Sequence, residues 1–481
     1  MRTKDTGMTK EEQNIEDVEF ILREVQRFAL MHPSDLIRHL QENRGETFAT
    51  LSRTRGGIVF CGRAAYNHFD ELADRTIKPS SREAKIFDRS DYVRALRASF
   101  VEVFIEAGRV VNQSSVAKLV NRARQIASEG LVNVTHHIPC VLFYEHEPVV
   151  FTVGPVTFTR VEKFLNSLGP AINAYHGSNL DAFADGLRIR LSDLSSEEVL
   201  AEASSFADML EKKIRGYYLA YDWVASVTIP MCHESISKSR AERTVDAALD
   251  VLRLFVSSHP ERYRRANASS APYETRELIT DQNGCLHATL RQGGRGAPAG
   301  NGWYAALIED AASLWSLFED VIDALPAEKK SDELNQRLLD AINWFGQAVV
   351  EPNSAAKVVK YTAALERLTM TRHLKCGIEA FIIKRVAFLN GERTDKTLHQ
   401  IEKDLGDLYQ CRSDLMHGSM SPYSPAVTDV LQIAWEVTRW AILAAAKFFA
   451  HLREGGTTTR KDLDAAYIAW AGEDPAEAGP T

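Results

Sequence analysis

Apolar residues recur at three- and four-residue steps along most of the chain. Val18, Ile21, Leu22, Val25 and Phe28 predict a helix ahead of the break at Pro33, and Val93, Leu96, Phe100, Val103 and Phe104 predict another over 92–111. A further helix is expected over 115–128. At residue 133 the period changes. The runs 138–144 and 149–153 are β-branched and aromatic, and the polar Glu145-His146-Glu147 between them reads as the turn of a hairpin. Gly154-Pro155 then turns the chain into a third strand over 156–159. Helices over 196–221 and 240–256 flank a strand over 223–230. A second hairpin is expected from 278–280 and 285–290, about the Gly-containing turn 281–284. A helix over 303–325 closes this part.

Residues 326–332 are charged and open on a proline, and they read as a linker. Beyond it every segment has the helical period: 334–350, 354–370, 375–389, 398–417 and 427–453. Five helices with short connections are a bundle pattern. The fold class predicted is therefore multidomain and mainly α, with an α+β region over 1–325, an all-α bundle over 326–455, and a partly disordered tail over 456–481 whose composition is rich in Gly, Thr, Pro and Ala.

Composition narrows the picture. At 481 residues the chain exceeds one ordinary domain, and 45% hydrophobic with 25% charged residues supplies enough apolar surface for folded cores. A net charge of -8 argues against a surface coated for bulk nucleic-acid binding while leaving a local basic groove open. The six cysteines contain no CxxC pair, so neither a disulfide framework nor a zinc knuckle is written, and a reducing cytoplasm is expected. The N-terminus lacks the apolar core of a signal peptide, and the apolar stretch 440–449 is short and broken by Lys447, so no membrane association is expected.

The informative segment is 398–425. Leu398, Ile401, Leu405, Leu408 and Leu415 form an apolar stripe, and the position missing from it is Arg412. A guanidinium in a bundle seam must find an anion to replace water. Glu366 or Asp414 would serve as an intramolecular partner, and a phosphate is the alternative. His417 stands where the helix should end, because Gly418 suits a left-handed cap and Pro422 and Pro425 forbid continuation. On one straight helix Arg412 and His417 are roughly 140° apart. Convergence then needs a distortion or a second copy of the helix related by two-fold symmetry.

Arg412, four intervening residues, His417 and Gly418, on the penultimate long helix of a C-terminal five-helix bundle, resemble the motif of the HEPN superfamily. The similarity is to its ApeA-like subgroup and covers roughly 334–452. It rests on 341–345 (AINWF), 361–367 (YTAALER), Lys384-Arg385, and 408–418 (LYQCRSDLMHG). The resemblance implies a metal-independent endoribonuclease that acts as a homodimer through the bundle, in bacterial antiviral or toxin-type defence. It places Arg412 and His417 in the catalytic role, with Glu366, Tyr409, Ser413 and Asp414 in support, and residues 1–325 as the part that senses a trigger. Many members carry Asn, Asp or His after the motif arginine, where this chain has Ser413. The chemistry of the two residues agrees: an imidazole can take the 2′-hydroxyl proton or protonate the leaving 5′-oxygen, and a guanidinium can brace the phosphate. RNA is the expected partner, with no cofactor and no metal.

The competing expectation is a HEPN-like bundle that binds RNA or oligomerises without catalysis, with Arg412 as a structural ion-pair residue. Other candidates rank lower. His136 and His137 are adjacent and point to opposite faces of a strand. Arg262, Arg264 and Arg265 around Tyr263, and Arg53 and Arg55, read as solvated loop ends that could also meet a nucleic-acid backbone. The stretch 293–302, GGRGAPAGNG, lacks the GxxxxGK[ST] order of a phosphate cradle and reads as a mobile loop.

Overall fold

The computed structural model describes residues 8–31, 38, 48–53, 57–78, 81–145, 147–167, 196–256, 259–266, 275–280, 286–291, 297–329, 331–372, 377–391 and 395–471. The chain is mostly helical and divides into two compact units. One comprises Met1–Val134 with Ile229–Arg240, the other Thr135–Thr228 with Ala241–Thr481.

The first unit contains α1 (Lys10–Ala29), a β1–β2 hairpin (Phe48–Ser52 and Ile58–Gly62), α2 (Arg63–Thr76), the short α3 (Arg82–Ile86), α4 (Arg89–Phe100) and α5 (Gln113–Glu129). Thr9 and Glu12 close a capping box that starts α1. The apolar faces meet in a core that includes Val18, Ile21, Phe69, Leu96, Phe100 and Leu119. The helix expected over 92–111 is α4 followed by a π-helical turn, Val101–Glu106. The widening coincides with the branched Val101, Val103 and Ile105, which crowd an ordinary helical turn.

The second unit carries most of a five-stranded sheet in the order β4-β5-β6-β3-β7, where β3 is Val132–Val141, β4 Val150–Val153, β5 Val156–Arg160, β6 Trp223–Cys232 and β7 Arg264–Arg265. This corrects the first expected hairpin. The runs 138–144 and 149–153 are not paired, since β5 and β6 lie between them. The tight turn is Gly154-Pro155, which joins β4 to β5 with Val153 opposite Val156. The described part of the Gly-rich stretch is also anchored: the Glu145 carboxylate accepts from the Ala299 and Gly300 N–H groups, each at 2.8 Å. A hairpin of β8 (Thr275–Thr280) and β9 (Leu286–Arg291) is present, and its turn lies outside the described residues.

Helices α6 (Val161–Ser167), α7 (Ser196–Leu219) and α8 (Glu234–Phe255) are followed by α9 (Trp303–Asp323), α10 (Glu333–Val350), α11 (Ser354–Thr369), α12 (Ile378–Leu389), α13 (Leu398–His417), α14 (Pro425–Asp429), α15 (Leu431–Glu454) and α16 (Arg460–Trp470). The stretch expected to be a linker at 326–332 joins two helices of this same unit. Helices α10, α11, α12, α13 and α15 pack against one another around Ile342, Phe345, Leu365, Ile382, Leu405 and Ile442. At Gly346 the buried Asp250 carboxylate of α8 comes so close that a Cβ would lie 1.7 Å from its Oδ1, so only glycine fits.

Part of the expected tail is helical. Thr459 caps α16, and Leu463 and Tyr467, four residues apart, bury one face of it. The anchor is Arg385 on α12, which is wholly buried. It donates to the Thr369 carbonyl and to Asp464 Oδ1, each at 2.8 Å, and its guanidinium lies 3.9 Å from the Phe381 ring centroid. Residues 472–481 lie outside the described residues. Among the described residues no helix is long and apolar enough to cross a membrane.

Candidate functional site

Helix α13 positions the site. Thr397 starts it with a capping box to Gln400, and it runs without interruption to His417. Gly418 adopts φ 74°, the left-handed region. Ser419 N–H then reaches the Asp414 carbonyl at 2.9 Å and Gly418 N–H the Leu415 carbonyl at 3.4 Å, the two bonds of a Schellman stop. Asp414 also receives Gln410 Nε2 at 3.0 Å through its side chain, so it serves the helix end instead of Arg412.

The apolar stripe is spent within the bundle. Ile401, Leu405 and Leu408 are buried, in a helix that packs against α11, α12 and α15. The stripe therefore does not offer a free face to a second copy. Leu398 at its start is 55% exposed, and Leu415 is half-buried. Arg412 stands at the margin of the seam with its side chain 35% exposed, less buried than the sequence implied.

The partner of Arg412 is Glu366 on α11, with Nη2 3.5 Å from Oε1. That separation is an ion pair and is too long for a strong hydrogen bond. Arg412 Nε is buried and has no hydrogen-bond partner among the described residues. Burial raises the Glu366 pKa above the ordinary glutamate range, and the charge of Arg412 opposes the shift. Tyr409, one turn before Arg412, is 5% exposed, and its hydroxyl is likewise buried without a partner among the described residues. Burial holds that phenol well above its usual pKa, the negative charges of Glu366 and Glu379 push the same way, and Arg412 pulls against them. Arg412 thus lies beside one half-buried carboxylate and one neutral phenol, with donor capacity unused.

His417 is exposed and makes no hydrogen bond or ion pair among the described residues. Because α13 is unbroken, it lies roughly 140° around the axis from Arg412, and one chain does not bring the two together. Ser413 is half-buried beside Arg412. Glu366, Tyr409 and Arg412 form one cluster, while Asp414 and His417 sit at the helix end. Met416 and Tyr423, 58% and 91% exposed, leave apolar surface around that end.

Other candidates resolve into structural roles. Tyr263 is fully buried with its ring 4.9 Å from that of Phe143, and Arg265 pairs with Asp246 at 2.8 Å, so this segment is neither a solvated loop end nor a free basic patch. His137 Nδ1 lies 2.8 Å from Ser226 Oγ, and burial lowers its pKa, with His136 adding to the shift. Among the described residues one group of metal-type donors converges, Asp17, His68 and Glu71, with ligand atoms within 4.8 Å of one another. The Asp17 carboxylate there is already paired with Arg75 and within 2.7 Å of His68 Nδ1.

No family model, no curated protein and no solved structure matches the chain.

Proposed function

We propose that the helical bundle is a metal-independent endoribonuclease of HEPN type, acting as a homodimer in bacterial antiviral or toxin-type defence. The observation that carries this reading is Arg412: a third exposed, with a buried Nε donor that has no partner among the described residues, beside a carboxylate whose burial weakens its hold on charge. An unpartnered buried Nε also occurs at Arg97, Arg124 and Arg453, so the weight rests on the combination of that donor with the long 3.5 Å pair to Glu366, where Arg385 by contrast spends its donors on Thr369, Thr371 and Asp464.

In this reading the scissile phosphate takes the open donors of Arg412. The 2′-oxygen bonds to phosphorus as an imidazole removes its proton, and the bond to the 5′-oxygen breaks as that oxygen gains a proton. The products are a 2′,3′-cyclic phosphate and a 5′-hydroxyl. Two-fold pairing supplies what one chain lacks, because His417 of one copy reaches the groove beside Arg412 of the other and two imidazoles can divide the acid and base roles. The exposed Met416 and Tyr423, in place of the buried stripe, would make the contact around it. Residues 1–325 would hold the sensing function. RNA cleavage in EDTA, lost in His417→Ala and in Arg412→Ala, tests the proposal.

A second reading has its own support. Glu366 provides Arg412 with an intramolecular counter-charge, and Ser413 takes a position that is more often Asn, Asp or His in the family the motif resembles. The bundle would then bind RNA or oligomerise without cutting.

A further inference from the structure

Tyr409, Arg412 and Glu366 stand in one cluster, and each has bonding capacity that the others leave unused. We propose that Tyr409 is a positioning residue of this site: its hydroxyl donates to the Glu366 carboxylate when an RNA phosphate displaces that carboxylate from Arg412. This role rests on Arg412 being a phosphate site, as proposed above, and adds what the site does with the displaced anion.

Tyr409 offers a donor without an acceptor. Its side chain is 5% exposed, and its hydroxyl is buried with no hydrogen-bond partner among the described residues. Buried hydroxyls are nearly always paired, so a partner is expected at this point. The phenol is held in place, because it stands within a helix that is capped at Thr397, stopped at Gly418, and packed against α11, α12 and α15.

Glu366 offers an acceptor without a donor. Its carboxylate makes no hydrogen bond among the described residues, and its ion pair with Arg412 Nη2 is 3.5 Å long. A third of the side chain is exposed, so the carboxylate can leave Arg412 without unpacking the core. Of the charges acting on the Tyr409 phenol, that of Glu366 is the largest, ahead of Arg412 and Glu379. Glu379 is exposed in the first turn of α12, where water satisfies it.

The two groups need each other once RNA binds. Burial already disfavours the charge on Glu366, and a phosphate on Arg412 would leave that carboxylate beside a second anion with its cation gone. A charge-assisted hydrogen bond from the phenol offsets this cost. Tyr409 is too deeply buried to meet RNA itself, whereas Arg412 is 35% exposed, so Tyr409 acts through Glu366 and not on the substrate.

The experiment is a double-mutant cycle on the full-length chain, with His417→Ala in every member so that RNA stays intact. Fluorescence anisotropy of a labelled single-stranded RNA gives Kd for this reference chain, for Tyr409→Phe, for Glu366→Gln and for the double variant. Tyr409→Phe removes the hydroxyl alone and should weaken RNA binding about tenfold, because Glu366 then returns to Arg412. In the Glu366→Gln background the same substitution should change Kd by less than ~twofold, since an uncharged amide neither competes for Arg412 nor needs the phenol. Without RNA, Tyr409→Phe should not lower Tm, because the hydroxyl has no partner to lose. The role is overturned if Tyr409→Phe binds RNA like the reference chain, the result a trapped water on the hydroxyl would give. Equal losses in both backgrounds, or a loss that comes with a lowered Tm, would also overturn it in favour of a packing role. A reference chain that binds no RNA removes the phosphate role of Arg412 and this role of Tyr409 together. A cycle that behaves as expected, in a protein whose parent leaves RNA uncut, upholds the Tyr409 role and removes the nuclease reading alone.

Discussion

Glu366→Gln separates the two roles open to Arg412. The pair lies 3.5 Å apart with side chains 35% and 31% exposed. Coulomb attraction at that separation is about 1.2 kcal/mol at the dielectric constant of water and about 4.7 kcal/mol at an effective value of 20. With a third of each side chain in solvent, the attraction is nearer the lower figure, ~1 kcal/mol. Burial works against it, since it raises the Glu366 pKa. A carboxyl whose folded pKa is raised contributes stability at pH below the ordinary glutamate value, and that contribution is lost as pH rises through the folded value. At neutral pH the ionised side chain is therefore a net cost that glutamine removes. Glu366→Gln should leave Tm within about 3 °C of the parent at pH 7. It should also free Arg412 from a competing anion, and ~1 kcal/mol returned to phosphate binding is about fivefold tighter RNA binding, read by fluorescence anisotropy of a labelled single strand. A structural pair behaves oppositely: its loss gives up the ~1 kcal/mol of attraction and leaves RNA affinity where it was. A lowered Tm with unchanged RNA affinity would refute the phosphate role.

Two further outcomes follow from the same structure. Arg412→Lys keeps the charge and loses the planar fork, so RNA cleavage should fall by about tenfold or more, and equal rates for the two proteins would exclude bidentate bracing. Burial pushes Asp250 up to about 7 despite the opposing charge of Arg253. The folded chain then holds a proton that the unfolded chain releases near pH 4, and stability should decline by at most ~1.4 kcal/mol per pH unit from there up to pH 7. Asp250→Asn should flatten the profile of Tm against pH over 5 to 7, and parallel profiles would contradict this assignment.

Local signals in the sequence located the bundle helices well. Gly418 marked the end of α13, and the apolar steps of α10, α11 and α15 gave their extents to within a few residues, because periodicity and caps are local properties. Strand pairing was less legible. The runs of β3 and β4 looked like hairpin partners because they are neighbours in sequence, yet β5 and β6 come between them, and nothing local reveals an insertion from residue 223. The helix at 460–470 was hidden by the Gly- and Pro-rich composition around it, although Leu463 and Tyr467 carried its period. At the site, Arg412 and Glu366 were both legible as candidates, but choosing Glu366 over Asp414 required knowing that Asp414 closes the helix end.

The central claim is tested most directly by incubating the full-length protein with total RNA in EDTA beside His417→Ala. The account predicts fragments ending in 2′,3′-cyclic phosphate and 5′-hydroxyl from the parent. The variant should be slower by ~10²- to 10⁴-fold, the usual cost of losing a proton-transfer group. Because His417 is exposed at a helix end, Tm should stay unchanged in the variant, and so should its oligomeric state. RNA left intact by the parent, or cleavage that requires Mg²⁺ and survives His417→Ala, would contradict the nuclease reading and leave the non-catalytic bundle in its place.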